Sequence, residues 1–446
     1  MTRLTLLLLA ACEPVKTPTT ETPIETGEGE GETAAPDPIL YDVTSASGTA
    51  ALGWSEDRPA FAGYSGTGAD ARIYLADPLG DGSAAFVYGI PWTAEGALTI
   101  EDAAEVTITV GVYGPDKVGY EGGYLAIPDA DADVADIPSA GIGYSLAEPS
   151  TSGALATLAA LSVSGDTENG YAARILRLDA DLDGDTDDMI ATQSTYESDE
   201  THGEIGVFLN VTERAYSWAE ADYQIPACTD FGDTNISYGP VDLALDAGGA
   251  HLWVACPSAT YRSGAVEVYS LPLSAASVPD GGVQKVGGWT VAADPRGGAW
   301  MGSQGGGVVT YASADLTTVI SAYPYETESD SGSLFGARPE VIETAAGQVL
   351  LLVGAQTRTA EARAVPDGGD AGVSAVYLCD ITDMPAEDET GFADLSAACG
   401  RYTAPEGVAC IGAVNGLIEN GGVLRFFSSG WLFGSGDGCG AAIWKL

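Results

Sequence analysis

The sequence predicts an all-β fold, a seven-bladed β-propeller, and three observations carry that expectation. The first is composition. The 446 residues are 45% hydrophobic, enough to pack a large core, yet they include 59 Gly and 23 Pro, too many helix breakers for long amphipathic helices. The second is local pattern. From residue 39 onward, short apolar runs stop at Gly, Pro or Asp, and no long stretch holds a 3.6-residue period. The third is a repeat. Acidic turns begin at Asp77, Asp129, Asp179, Asp246, Asp294, Glu343 and Glu419, spaced 48 to 76 residues apart, with the longer gaps fitting loop insertions. A unit of a few strands cannot bury its own faces. Arranged radially, each sheet packs on its neighbours and leaves only short edges. A β-sandwich array, the rival fold, would not place one recurring turn at one point of a three-strand unit.

The chain starts with Met1-Thr2-Arg3, a minimal positive region, followed by an apolar run from Leu4 to Ala11. Eight residues make a helix of about 12 Å, far short of the roughly 30 Å bilayer core. Residues 1–11 therefore read as an export signal. Leu9-Ala10-Ala11-Cys12 resembles the bacterial lipobox. That resemblance implies lipidation of Cys12, membrane attachment through the lipid, and a place in the cell envelope. Glu13 stands where an Asp would signal inner-membrane retention, which points to the outer membrane. Residues 13–38 are mostly Thr, Pro, Gly and Glu with almost nothing to bury, so residues 12–38 read as the lipidated cysteine and a disordered acidic tether. Extended, it would reach about 80 Å at about 3.3 Å per residue.

The propeller is assigned to residues 39–446. Its units run as follows. Ile73-Tyr-Leu75 and Phe86 to Pro91 flank the turn at Asp77; Tyr124 to Ile127, Ile142 to Pro149 and Gly153 to Leu158 surround Asp129. Arg174 to Leu178, Met189 to Thr192 and Gly203 to Leu209 surround Asp179, and Val241 to Leu245, Leu252 to Pro257 and Gly264 to Tyr269 surround Asp246. Trp289 to Val291, Trp300 to Gly302 and Gly307 to Tyr311 surround Asp294. Val349 to Ala355 and Val373 to Tyr377 follow Glu343; Gly416 to Ile418, Val423 to Phe427 and Ala441 to Trp444 surround Glu419. The chain stops after a third strand, so Ile39 to Thr44 is expected to supply the fourth and close the ring.

One turn carries chemistry. Asp179-Ala-Asp181-Leu-Asp183-Gly184-Asp185-Thr-Asp187 sets carboxylates at alternate positions with a glycine for the sharp bend. A hard cation such as Ca2+ wants six to eight oxygens, and like charges this close repel without one. Asp179, Asp181, Asp183 and Asp187 are expected to supply carboxylates and Asp185 its backbone carbonyl. An EF-hand would need a Glu at position twelve and flanking helices; Ile190 stands there, and the flanks read as strands. Gly170-Tyr171-Ala172, the Asp loop and Met189-Ile-Ala-Thr-Gln193 together resemble an FG-GAP repeat, the blade unit of integrin α-chain propellers and of many bacterial surface proteins. The resemblance is specific in this blade and diffuse elsewhere. It implies a calcium loop joining the first two strands of the blade, and a role in adhesion or recognition of a protein or glycan. Weaker metal candidates are Asp77 with Asp81, and Asp129, Asp131 and Asp133 with Asp136.

Beyond Cys12, six cysteines remain and none forms a Cys-x-x-Cys pair. In an exported chain they are expected to pair as neighbours, Cys228 with Cys256, Cys379 with Cys399 and Cys410 with Cys439, free buried thiols being the alternative. With 17 Lys and Arg against 64 Asp and Glu, a net charge of −47 excludes nucleic acid as the main partner. The two histidines, His202 and His251, read as surface or satisfied side chains. No nucleophile elbow, zinc-protease helix or phosphate loop is present. A non-enzyme is expected. The alternatives are an envelope polysaccharide lyase or hydrolase using the propeller funnel, and a scaffold subunit. A funnel that clusters several acids, or a Lys/Arg pair with a tyrosine, would favour the enzyme; a flat aromatic-rich face would favour binding.

Overall fold

The computed structural model describes residues 39–446 outside the segments 55–60, 65–70, 78–84, 111–117, 122, 130–131, 136, 138–139, 167–171, 195–202, 229–241, 258–263, 285–289, 303–307, 324–333, 357–373, 390, 409 and 431–438. These residues build seven sheets, each with a core of four antiparallel strands, which run in sequence order from one edge to the other in the first six. Blade 1 is Phe61–Tyr64, Arg72–Asp77, Phe86–Pro91 and Val106–Thr109; blade 2 is Gly119–Glu121, Tyr124–Asp129, Ile142–Ala147 and Leu161–Ser164. Blade 3 is Ala172–Leu178, Asp188–Ser194, Gly203–Phe208 and Tyr223–Ala227; blade 4 is Asp242–Leu245, His251–Pro257, Gly264–Ser270 and Gly281–Gln284. Blade 5 is Thr290–Ala293, Ala299–Gly302, Val309–Ala312 and Val319–Tyr323; blade 6 is Leu334–Glu343, Val349–Gln356, Ala375–Asp380 and Cys399–Thr403. Blade 7 takes Val414–Asn420, Val423–Ser429 and Ala441–Lys445 from the end of the chain and Ser47–Gly53 from its beginning.

The middle strands are apolar on both faces, and the packing follows from that. In Val349–Gln356, Leu351 and Val353 join Trp300 and Tyr311 of blade 5, while Leu350 and Leu352 join Leu417, Leu424 and Phe426 of blade 7. Strand alternation sends successive side chains to opposite faces. Seven apolar clusters are shared in this way by successive blades, and the last joins Leu52, Phe427 and Ile443 of blade 7 to Ile73, Leu75 and Ile90 of blade 1. The ring is closed.

Closure uses different residues from those expected. The fourth strand of blade 7 is Ser47–Gly53, paired antiparallel with Ala441–Lys445. Ile39 to Thr44 precedes it as a strap. Tyr41 and Val43 are buried between blades 6 and 7, and Gln348 exchanges two hydrogen bonds with the Tyr41 backbone at 2.9 and 3.0 Å. Asp42 then accepts from the Thr44 N–H at 3.0 Å and turns the chain, which ends the extended run before it can pair.

Blades 1 and 2 are offset from the expected units. The strands on either side of Asp77 and Asp129 are the second and third of their blades, because short first strands (Phe61–Tyr64, Gly119–Glu121) precede them. Gly153 to Leu158, expected as a strand of its own unit, is instead a two-residue bridge onto blade 1 followed by a helical turn, Leu155–Leu158. The same device recurs. Gly96–Thr99 lies parallel on blade 7, Ala215–Ser217 on blade 2 and Ala393–Asp394 on blade 5, each followed by a short helical turn. Each clasp leaves its own blade between the third and fourth strands and covers the outer edge of the preceding one. It thereby pairs backbone groups that an edge strand would leave open.

The three disulfides join Cys228 to Cys256, Cys379 to Cys399 and Cys410 to Cys439, the expected neighbour pairing. They close separations of 20 to 29 residues, each contributing about 3 kcal/mol in a loop-entropy account. Leu52 is fully buried at the seam where the chain ends meet. Leu52→Ala should cost about 2–5 kcal/mol, read from a shifted urea midpoint. A change well below 1 kcal/mol would mean that the seam is not packed as described.

Candidate functional site

The acidic loop joins the first and second strands of blade 3, where Leu178 pairs with Asp188 at the mouth of the hairpin. Its backbone is bent by Leu182 at φ +62° and Gly184 at φ +104°. Those turns aim N–H groups back at carboxylates. Asp179 accepts from the N–H groups of Asp183 and Gly184, both at 3.0 Å. Asp181 accepts from Asp183 at 3.2 Å, Asp183 from Asp185 at 3.3 Å, and Asp185 from Asp187 at 3.2 Å. The alternating spacing read in the sequence is thus a run of side-chain-to-backbone turns.

The structure adds a residue that the sequence reading missed. Asp188 is buried at 2% exposure. Its Oδ2 accepts from the N–H of Ala180 at 2.9 Å and of Asp181 at 3.3 Å, and its Oδ1 from Asn210 at 2.8 Å. Asp179, Asp181 and Asp188 can each offer one carboxylate oxygen within 4.8 Å of the others. Asp183 and Asp185 are exposed and stand outside that trio. Asp187 is half-buried, and its Oδ1 is buried without a hydrogen-bond partner. The trio is an all-oxygen donor set, which suits a hard cation of the calcium type; Asp187, outside the trio, adds an orphaned carboxylate oxygen to the same loop. Asp188 escapes a reading based on alternate spacing because it sits one place past the motif, as the first residue of the next strand.

The charges act on one another. For Asp183, the N–H of Asp185 lowers the carboxyl, but loss of water contact and the charges of Asp181, Asp185 and Asp179 leave it raised. Asp187 is pushed up to about 6 by its hydrogen bond to Asp185, then by desolvation and the neighbouring acids, while that hydrogen bond lowers Asp185. Without a cation the loop thus keeps a proton on Asp187 in a range where an ordinary Asp is ionised. A group raised in the fold favours the fold at low pH and loses that contribution as pH rises through its folded value.

The other acidic turns differ. Asp77 and Asp129 end the second strands of blades 1 and 2, whereas Asp179 follows the first strand of blade 3. Asp77 is fully buried, and Asp133 follows Asp129 in a short turn. Asp81, Asp131, Asp136, Cys12 and His202 lie outside the described residues. In blades 4 and 5 the loop position is held by one aspartate that closes its own turn. Asp246 accepts from Ala250 at 2.7 Å and pairs with His251 Nδ1 at 2.8 Å. Asp294 accepts from Arg296 Nη2 at 2.6 Å and Trp300 Nε1 at 2.9 Å.

A second feature lies on the propeller axis. The first strands of blades 2 to 7 converge on a cavity of about 220 Å3. Tyr120, Arg174, Asp242, Thr290, Arg338 and Glu340 line it. Arg174 Nη2 pairs with Asp242 Oδ1 at 3.4 Å, and Asp242 Oδ2 accepts from the Val291 N–H at 3.2 Å. Arg174 and Arg338 with Tyr120 meet the Lys/Arg-pair-with-tyrosine pattern that the sequence reading associated with an enzyme. The available signal was a polar residue opening the first strand of successive units: Asp242, Thr290 and, one place in from its start, Asn415.

No family model and no curated protein matches the chain. Among solved structures it is similar to the WD40 domain of Toxoplasma gondii coronin (10% identity, 92% of this chain and 88% of that one, TM-score 0.46). It is also similar to Chaetomium thermophilum Sqt1 (11% identity, 90% and 98%, TM-score 0.47) and to the polysaccharide lyase Uly1 (11% identity, 94% and 94%, TM-score 0.38). The seven-bladed propeller is read from the seven sheets themselves. Among the described residues no helix is long and apolar enough to cross a membrane.

Calcium must displace the Asp187 proton if it binds here. Calcium addition should therefore release close to one proton near pH 5, about half a proton near pH 6 and hardly any by about pH 8. Calorimetry in buffers of different ionisation enthalpy measures this. Equal release at both ends of that range would place the cation away from Asp187.

Proposed function

We propose that the chain is a non-catalytic recognition propeller of FG-GAP type, stiffened by calcium in blade 3 and tethered to a bacterial envelope, at the outer membrane, through lipid on Cys12. The acidic loop carries this reading: it joins the first two strands of its blade, the place that the FG-GAP resemblance assigns to calcium. Three carboxylates converge there and a fourth keeps an unpartnered oxygen. Calcium bound to the fold alone would stabilise it by about 2.7 kcal/mol at a hundredfold excess over Kd. The reading takes a protein or glycan as the ligand. The funnel-enzyme alternative needs a proton-transfer group on the axis. Asp242 is committed there to Arg174 and the Val291 N–H, so that alternative would rest on Tyr120 or Glu340 of the same wall.

Calcium should raise the melting temperature of the wild type and leave that of Asp179→Asn/Asp181→Asn unchanged, with EGTA reversing the rise. An equal rise in both proteins would move the ion elsewhere. Cys12→Ser should shift the protein from the membrane to the soluble fraction and abolish labelling by radioactive palmitate. Persistent labelling would refute the anchor.

A further inference from the structure

The acidic loop is bonded to more than its own blade. Ala180 lies between Asp179 and Asp181 and is fully buried. Its N–H donates to Asp188 Oδ2 at 2.9 Å, and its carbonyl accepts from the Leu273 N–H at 3.0 Å. Leu273 belongs to blade 4, in the connection between Gly264–Ser270 and Gly281–Gln284. Ala180 therefore bonds a carboxylate of the converging trio on one side and the neighbouring blade on the other. The side chains repeat this link. Leu273 is 3% exposed and packs in one apolar cluster with Leu178 and Ala180, the residues on either side of Asp179. The connection is also tied at its ends to its own blade: the Leu271 N–H donates to the Ala250 carbonyl at 2.9 Å and the Asp280 N–H to the Val268 carbonyl at 2.7 Å. Between these ties, Ser274 to Pro279 is mostly exposed and bends through a serine turn, with the Ser274 N–H on Ser277 Oγ at 2.9 Å. From Leu271 to Pro279 the connection carries no charged residue, so it can lie against the acidic loop without repulsion.

We propose that calcium in this loop is a latch between blades 3 and 4: the bound ion fixes the backbone at Ala180 and thereby docks the blade 4 connection at Leu273. The proposal rests on the calcium reading above and extends it to a second blade. Without the ion, the aspartates of a short loop repel one another, and the carbonyl that receives Leu273 sits in the middle of that loop. With the ion, Asp179, Asp181 and Asp188 are drawn to one centre. Asp188 already accepts from the N–H groups of both Ala180 and Asp181, so holding its carboxylate holds the peptides on either side of Ala180. Docking of Leu273 and binding of calcium are then linked, and each strengthens the other by the same factor. Blade 6 provides the contrast. The Leu395 N–H makes the same kind of interblade bond, to the Tyr323 carbonyl at 2.9 Å, but its acceptor ends the regular strand Val319–Tyr323 and needs no ion to hold it. The Cys228–Cys256 disulfide joins blades 3 and 4 independently, so the latch governs the connection and not the association of the blades.

The test is hydrogen exchange of the full chain, resolved to single amides, in Ca2+ and in EGTA. Calcium should slow exchange at the Leu273 amide about fivefold or more and leave the Leu395 amide unchanged. In Asp179→Asn/Asp181→Asn it should change neither. The reciprocal effect is read by calorimetric titration with Ca2+. Leu273→Ala keeps the N–H but removes the packing, and should weaken calcium binding about fivefold or more. Leu52→Ala, similarly buried but at the ring seam, should bind calcium as the wild type does. An unchanged Leu273 amide, equal slowing at Leu395, or wild-type calcium affinity in Leu273→Ala would each overturn the latch. If calcium still raises the melting temperature in that event, the calcium reading stands without it. Loss of both the exchange effect and the rise in melting temperature overturns the two together.

Discussion

The structure depends on one constraint: every blade is apolar on both faces and has no core of its own. Leu350 and Leu352 can leave water only against blade 7, and Leu351 and Val353 only against blade 5. Each fully buried side chain of this kind contributes about 1.5–3 kcal/mol. An open stack would expose the outer faces of its two end blades, so the hydrophobic effect drives the array to close. The seam is made by Ser47–Gly53, a strand of small residues that earns its place by pairing with Ala441–Lys445 and by burying Ala50 and Leu52 between blades 7 and 1. The three disulfides do not join the chain ends at this seam. Closure is therefore held by packing and strand pairing, and the cross-links reinforce a strand pair of blade 6, blade 7 and the boundary between blades 3 and 4.

What was legible in the sequence follows from the same constraint. Strands buried on both faces read as dense apolar runs, so the middle strands of all seven blades stood out. The acidic turns of blades 3, 4 and 5 were legible because one geometry, an aspartate accepting from N–H groups a few residues on, recurs where the first strand meets the second. The disulfides followed from adjacency along the chain. First strands were harder. Phe61–Tyr64 and Gly119–Glu121 are only 4 and 3 residues long, too short for a pattern to assert itself, and missing them shifted blades 1 and 2 by one strand.

The remaining misses have separate physical causes. Ile39 to Thr44 carries more apolar character than Ser47–Gly53 and so looked like the closing strand, but the turn at Asp42 ends it and its tyrosine and valine fill a crevice between blades. The clasps were illegible because bridges of two to four residues followed by a helical turn have no period. Gly153 to Leu158 read as a strand from its apolar content alone. The tight loop packing of Asp188 also left no mark in the spacing rule, since its task is to fix the backbone of Ala180 and Asp181 from outside the motif. The axial residues were missed for a related reason. A cavity built by one polar side chain from each of several blades appears only when the blades are set around a common centre.

The acidic loop and the axial cavity meet in a single strand, and that limits how one can affect the other. Arg174 sits near the start of Ala172–Leu178, and Asp179 follows its end. At about 3.3 Å per residue the two lie about 16 Å apart along the strand. That is about twice the Debye length in physiological salt, and the loop is largely exposed, so a cation there changes the potential at the axis little. Backbone register is the route that remains. Leu178 pairs with Asp188, and Arg174 pairs with Thr192 in the same ladder. Asp188 in turn ties the loop backbone at Ala180 and the connection at Asn210 to that ladder. Calcium would thus act as a clamp on the outer end of a strand whose inner end carries the Arg174–Asp242 pair. Such a clamp would sharpen the position of that pair without altering its charge balance.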